Sequence, residues 1–148
     1  MRKNIIKLIA ALVSLWAVFG IVYNVIPIVR GQWAAAHFFK SLTNEDYRAA
    51  SDYVMNADQQ EWTRNLAMLK AEGLILTNYS DLMVTLDDSI VTGQTTISLM
   101  EGNVKKDYHV YIEFGGSRLS PRIANIQYTE ADDTLKKWIQ ATTTASLP

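Results

Sequence analysis

The sequence predicts an α+β protein, with an N-terminal transmembrane helix followed by helices packed on a curved antiparallel sheet. Two observations carry this prediction. The stretch from Leu8 to Val29 contains no charged residue, and the apolar period changes from 3.6 to 2 residues after Gly73. Helices that precede a run of strands joined by short turns are typical of α+β domains, in which both kinds of element bury one apolar face.

The uncharged stretch predicts a membrane anchor. Its residues 8–29 would extend about 33 Å as a helix, and the hydrocarbon core of a bilayer is about 30 Å thick. A cleaved secretory signal is the alternative, with Ala34–Ala36 resembling a cleavage site, but signals have a shorter apolar region. We therefore predict a tail at 1–7, an uncleaved anchor at 8–29 and a folded domain at 33–148.

Basic residues around the anchor predict its orientation. Arg2, Lys3 and Lys7 precede it, whereas only Arg30 follows it closely. Because basic residues concentrate on the cytoplasmic side, the expected topology is a cytoplasmic N-terminus and an extracytoplasmic domain in the cell membrane. Membrane lipid is thus an expected partner through residues 8–29.

Two polar residues interrupt the apolar stretch, Ser14 and Asn24. Such residues either are tolerated within a lone helix or make a hydrogen bond to a second helix. The stretch has no strong pattern of small residues four apart, so a lone helix is the preferred interpretation.

Composition excludes several classes of function for the folded domain. All 15 acidic residues follow Trp33 but only 10 of the 14 basic ones do, which leaves that domain with a charge of about −5. Nucleic-acid binding depends on phosphate neutralisation, so no nucleic-acid partner is expected. The chain has no cysteine, which excludes disulfides, thiolate catalysis and cysteine-bound zinc.

The helical part of the domain has recognisable ends. Gln32–Ser41 is alanine-rich and is expected to continue the anchor helix outward. Thr43 is the predicted N-cap of a second helix with a buried stripe. Asp58 is the predicted N-cap of a third helix, with Glu61 as its capping-box partner, and Gly73 is its expected end.

Four strands and a final helix follow. Alternating apolar residues joined by short turns predict an antiparallel meander. Its strands are Leu82–Leu86, Val91–Met100, Tyr108–Phe114 and Arg122–Thr129, with turns at 87–89, 101–103 and 115–117, and a terminal helix covers Asp132–Ala141.

The segment Ala36–Ala50, AHFFKSLTNEDYRAA, resembles the opening of the nuclear-transport-factor-2-like superfamily, and in particular its small bacterial membrane-anchored members. An aromatic-containing helix, a short break, an acidic–aromatic pair and alanines carry the resemblance. The order of helices and sheet that follows is also similar, over roughly Trp33 to Tyr128. Members of this superfamily usually end in a further strand, whereas Asp132–Ala141 has a helical pattern.

The resemblance implies a cone whose curved sheet can hold a pocket. Some members are isomerases or dehydratases, some bind small molecules, and many bind only proteins, so the fold does not select a function. One membrane-anchored branch contains scaffold proteins of secretion and conjugation machines with the same layout. No motif in this sequence assigns the chain to that branch.

His109, Tyr111 and Glu113 are the candidate catalytic residues, because an acid, a histidine and a tyrosine can transfer protons in pockets of the enzymatic relatives. They share one strand face. The simpler interpretation is a solvent-facing surface opposite the apolar residues of the same strand. A role for His109 as a general base requires a carboxylate within hydrogen-bond reach.

Other polar groups indicate local structure rather than chemistry. His37, the other histidine, has no ligand at zinc spacing, and neither a metal nor a cofactor site is expected. Asp52 and Tyr53 form a possible polar pair, although a solvated helix position explains Asp52 more simply. Asp87–Asp88 lacks the glycine and distant glutamate of a calcium loop, so a turn is expected.

The sequence therefore predicts a single-pass anchored domain that acts by binding without catalysis. Its expected partner is a protein or a second copy of the chain, and a small ligand is possible. An anchored isomerase or dehydratase with a sheet-lined pocket is one alternative, and a scaffold of a secretion or conjugation machine is another.

Overall fold

The computed structural model describes residues 2–129 and 132–143, and within them the predicted α+β class is confirmed. A long apolar helix comes first, then further helices, a four-stranded antiparallel sheet and a final helix. The elements are α1 (Arg2–Gly20), a π-helical segment (Ile21–Val25), α2 (Ile26–Thr43), α3 (Tyr47–Ser51), α4 (Gln59–Ala71), β1 (Leu74–Asp87), β2 (Ile90–Glu101), β3 (Val104–Ser117), β4 (Ser120–Tyr128) and α5 (Asp133–Thr143).

The first two helices run on from each other through the π-helical segment, so the predicted continuation through Gln32–Ser41 is confirmed. Pro27 lies in the first turn of α2, where the proline ring fits a helix and its missing N–H costs little. The N–H of Ile26 donates to the carbonyl oxygen of Ile21, a π-type hydrogen bond that keeps the backbone paired up to the proline.

The two polar side chains of the apolar helix bond to their own backbone. Ser14 Oγ donates to the carbonyl oxygen of Ala10 at 2.9 Å, and Asn24 Nδ2 donates to that of Gly20 at 3.0 Å. Hydroxyls and amides can satisfy themselves in this way within a single helix. The geometry agrees with tolerated polar residues in a lone helix and requires no second helix.

The folded domain begins within α2. Pro27 and Gly31 are already buried, and the buried face continues through Ala34, Ala35, Phe38, Phe39 and Leu42. These positions recur at helical spacing and lie against the sheet. The sheet contributes its own inner face, from which Ile97, Val110, Ile112 and Ile123 are completely buried.

The prediction of Thr43 as an N-cap is wrong. Thr43 is the last residue of α2, and Asp46 caps the following helix by accepting a hydrogen bond from the Ala49 N–H at 3.1 Å. The helix is also short, because it ends at Ser51, and Val54 beyond it pairs with Ile123 of β4. Aspartate at 46 is as good a cap as threonine, so the local pattern allowed both positions.

The third helix has the predicted ends. Asp58 Oδ1 accepts hydrogen bonds from the N–H groups of Gln60 and Glu61, both at 3.0 Å, which confirms it as the N-cap. Gly73 follows the helix at φ +82°, a left-handed conformation that favours glycine after a helix end.

The sheet is a meander in the order β1-β2-β3-β4, as expected, but its strands are longer than predicted. β1 starts at Leu74 rather than Leu82, because irregularities between Leu76 and Asn78 and between Ser80 and Met83 break the alternation that reveals a strand. The glycines predicted to form the third turn lie inside β3, where Gly115 pairs with Arg122, and the turn comes at residues 118–119.

The first turn of the sheet and the final helix lie where the sequence predicts them. Asp88 and Ser89 form the β1–β2 turn with φ of 43° and 74°, as in the tight turns favoured by hairpins. The final segment is helical, with Asp132 as its cap and Leu135, Trp138 and Ile139 buried. Trp62 Nε1 donates to the carbonyl oxygen of Thr142 at 2.8 Å and ties α4 to this helix.

Candidate functional site

The side of the sheet that faces the helices is filled by the core. Val110 and Ile112 of β3 are fully buried there, and the buried Thr95 hydroxyl donates to the Ser80 carbonyl oxygen at 2.7 Å. Phe39 of α2 stacks on Tyr79 of β1 with ring centroids 5.5 Å apart. α2 therefore covers this face of the sheet.

The three candidate catalytic residues lie on the opposite, outer face of the sheet. Tyr111 and Glu113 are exposed and His109 is half-buried, whereas Val110 and Ile112 between them point into the core. The rings of His109 and Tyr111 meet edge to face with centroids 5.1 Å apart. The outer face is thus a surface rather than an enclosed cavity.

Glu113 is held by neighbouring amides. Its Oε1 accepts a hydrogen bond from Gln127 Nε2 at 2.6 Å, and its Oε2 accepts one from Asn125 Nδ2 at 3.3 Å. His109 is four residues away on the same strand, a separation of about 13 Å at 3.3 Å per residue. The two side chains therefore do not form the histidine–carboxylate pair that a general base would need.

A shallow groove of about 360 Å³ runs across this outer face. Register places its members side by side, because Gln94 of β2 pairs with both Met83 of β1 and Tyr111 of β3, and Tyr111 pairs with Gln127 of β4. The next row adds two hydroxyls and the carboxylate of Glu113. The principal side chains that line the groove are Met83, Thr85, Thr92, Gln94, Tyr111, Glu113 and Gln127.

The groove presents both apolar side chains and hydrogen-bonding groups to the solvent. Tyr111 is 41% exposed and Met83 is 51% exposed, so both present apolar area to the solvent. The amide and hydroxyl groups around them can donate and accept hydrogen bonds. Met83, Gln94 and Gln127 are site residues that the sequence did not predict, and the only signal for them was their place on the outer face of each alternating strand.

The second histidine lies in an aromatic cluster that α2 forms with the residues after α3. The His37 ring packs on Trp33 with centroids 4.1 Å apart, and its Nδ1 is 2.9 Å from the Trp33 carbonyl oxygen. Tyr53 contacts both rings, at 5.6 and 6.0 Å. Asp52 and Tyr53 border a separate small groove of about 120 Å³ that also includes Arg30. Among the residues described, no three metal-ligating side chains come together.

The side chains with shifted pKa values lie in clusters that connect separate parts of the fold. Burial raises the pKa of the Tyr47 phenol, and the nearby Glu45 carboxylate adds to this effect. A hydrogen bond to Glu45 raises the pKa of Lys70, which links the α2–α3 loop to α4. Burial alone would raise the pKa of Asp132, but hydrogen bonds, chiefly from Lys106, lower it to about 2.

The N-terminal helix is long and apolar enough to cross a membrane. Within Ile9–Thr43, an 18-residue window has a mean hydropathy of 2.2, and none of its residues is buried against the rest of the protein. Large side chains such as Trp16 (79% exposed) and Leu15 (66% exposed) project from it into the surroundings. In water these side chains would form an extensive apolar surface.

Comparison with known proteins leaves the family open. No protein-family model, curated protein or solved structure matches the chain. The similarity to the nuclear-transport-factor-2-like superfamily accordingly stays a prediction from the segment Ala36–Ala50.

Proposed function

We propose that this protein is a single-pass membrane protein whose extracytoplasmic domain binds another protein and catalyses no reaction. The observation that carries the proposal is the exposed apolar helix continuous with α2. Arg2, Lys3 and Lys7 precede the uncharged stretch and support a cytoplasmic N-terminus. The helix would hold the domain at the outer face of the cell membrane.

The outer sheet groove supports binding to a protein rather than to a small molecule. Small-molecule sites are concave and cover most of their ligand, whereas this groove lies open on a sheet face. Tyrosine and methionine are enriched at protein interfaces, and Tyr111 and Met83 lie in the same row of the groove. Glu113 accepts hydrogen bonds from two amides, which hold its carboxylate in place at the polar edge of that surface.

The topology can be tested with single cysteines, because the natural chain has none. Asn4→Cys places a thiol before the apolar stretch, and Met68→Cys places one on an exposed position of α4. An impermeant maleimide applied to intact cells should label Met68→Cys at once and Asn4→Cys only after lysis. Labelling of Asn4→Cys alone in intact cells would show the opposite orientation. Release of the protein from membranes by alkaline carbonate would show that the apolar helix is not a membrane anchor.

Binding can be tested by placing a photo-crosslinking amino acid at Tyr111 or Gln94 of the full-length protein in cells. Met68, 56% exposed on α4, is the control position. A discrete protein adduct at both groove positions and none at Met68 is expected, and mass spectrometry would distinguish a different protein from a second copy. Tyr111→Ala should weaken that complex by at least about tenfold, as for an interface hot spot. Equal adducts at all positions, or none, would contradict the proposal.

A further inference from the structure

Two hairpin turns lie at the same end of the sheet, the end nearest the apolar helix. They are the β1–β2 turn, residues 87–90, and the β3–β4 turn, residues 117–120, here called the proximal tips. An antiparallel meander places alternate turns at one end, and the β2–β3 turn at Gly102 lies at the other end, where its N–H donates to the Gly73 carbonyl oxygen.

Two contacts fix the height of the proximal tips along the helix. A Cβ built on Gly31 would lie 2.9 Å from Val91 and 3.8 Å from Phe114, so α2 touches the sheet closely at this level. Farther down, the guanidinium of Arg118 lies over the Tyr23 ring, 4.2 Å from its centroid. Eight helical residues and four strand residues separate these levels, about 12 Å and 13 Å respectively, so the two measures agree.

The Arg118 contact limits where the membrane can be. Tyr23 stacks on Phe19 on one side, with centroids 5.3 Å apart, and carries the guanidinium as a cation–π partner. A guanidinium is costly in hydrocarbon, whereas tyrosine and arginine both suit the headgroup boundary. If the hydrocarbon extended to Val29, Arg118 would lie about 9 Å inside it, six residues at 1.5 Å each.

A boundary at Tyr23 also fits the other end of the helix. Twenty residues earlier, about 30 Å along the axis, the chain reaches Lys3, which would lie at the opposite headgroup layer beside Arg2. Lys7 is one turn farther in, from where a lysine side chain can extend back to the surface. The distance along the helix between the basic residues at its two ends thus matches the hydrocarbon thickness.

The proximal tips carry apolar side chains suited to this boundary. Ile90 is 59% exposed and Leu119 is 55% exposed, one on each tip. Ile90 and Arg118 border the same cleft of about 150 Å³, so the tips adjoin. Charge does not favour an anionic surface, because Asp87 and Asp88 offset the nearby arginines.

We infer that the folded domain itself rests on the phospholipid bilayer through the two proximal tips, with the hydrocarbon boundary at Tyr23 rather than at Val29. The inference rests on the proposed membrane anchor and adds to it a second, peripheral contact with lipid. Leu119 enters the boundary layer and Arg118 lies among the headgroups, whereas Ile90, one residue from Val91, lies about 9 Å farther from the hydrocarbon, at the outer side of the headgroup layer. Such seating restricts the domain to one orientation, with the β2–β3 turn pointing away from the membrane.

The test uses the full-length protein in phosphatidylcholine nanodiscs, with a single cysteine carrying a fluorophore. The positions are Leu119→Cys and Ile90→Cys on the tips, Val104→Cys as a control and Phe19→Cys within the anchor. Val104 is a matched control because it is 57% exposed at the distal end of the sheet. Nitroxide groups on the lipid, either in the headgroup or deep in the acyl chain, quench a nearby fluorophore.

Both tip labels are expected to lose fluorescence with the headgroup nitroxide, the Val104 label should keep it, and the Phe19 label should lose it with the acyl-chain nitroxide. Quenching at Phe19 with none at the tips would overturn the seating and leave the anchor intact. No quenching at Phe19 would overturn the anchor and the seating with it. The inference assigns the lipid contact to apolar side chains. Quenching at the tips that requires added anionic lipid would therefore also contradict it.

Discussion

Gly31→Ala tests how α2 is seated on the sheet. The Cβ that alanine adds would lie 2.9 Å from Val91 Cγ1 and 3.0 Å from Val84 Cγ1. Carbon atoms in contact normally stay about 3.5–4.0 Å apart, so at least one element must move. Both neighbours are β-branched and have few rotamers available, so their side chains cannot turn aside easily.

Two opposing terms set the expected size of the effect. Overpacking a filled core costs about 1–3 kcal/mol. Alanine is better than glycine within a helix by about 1 kcal/mol, which offsets part of that cost. The expected result for Gly31→Ala is a net destabilisation of about 1 kcal/mol, obtained from the middle of the first range.

The assay is denaturant unfolding of the full-length protein in detergent micelles, followed by near-ultraviolet circular dichroism of the folded domain. Gly20→Ala is the matched control, because it makes the same change at the end of α1 with no atom of the rest of the protein within 4 Å of the new Cβ. The control has the helix-propensity gain of alanine without the overpacking cost, so it should not lower the midpoint. A Gly31→Ala protein that is as stable as the wild type, or more stable, would show that the helix and the sheet are not in close contact at this level.

Two further substitutions test the contacts that attach α5. Trp62→Phe leaves the carbonyl oxygen of Thr142 without its 2.8 Å donor and should cost about 1–3 kcal/mol in the same unfolding assay, whereas Trp16→Phe on the exposed helix should cost nothing measurable. Asp132→Asn tests pH dependence: because hydrogen bonds such as that from Lys106 lower the folded pKa to about 2, below the usual 3.8, the stabilisation is present above pH 4 and is lost as the pH falls towards 2. The midpoint of the wild type should therefore fall more steeply than that of the variant across this interval, and parallel curves would contradict the assigned pKa shift.

The sequence determined those features that depend on neighbours along the chain. The apolar stretch, the third helix with Asp58 as its cap, the meander and the final helix all follow from local periodicity and capping. The same local rules explain the errors. Thr43 and Asp46 are both suitable caps, and only the packing of α2 decides between them. The start of β1 was missed because its irregular pairing before Met83 interrupts the alternation.

Only the tertiary structure decided which distant residues meet. A period of 2 assigns Tyr111 to the outer face but does not say that Gln94 and Gln127 flank it, because strand register depends on the summed packing of whole strands. For the same reason, the sequence could not show that Glu113 is bonded to amides of β4. Nor could it place Arg118 against Tyr23, 95 residues earlier in the chain, the contact from which the depth of the anchor is inferred.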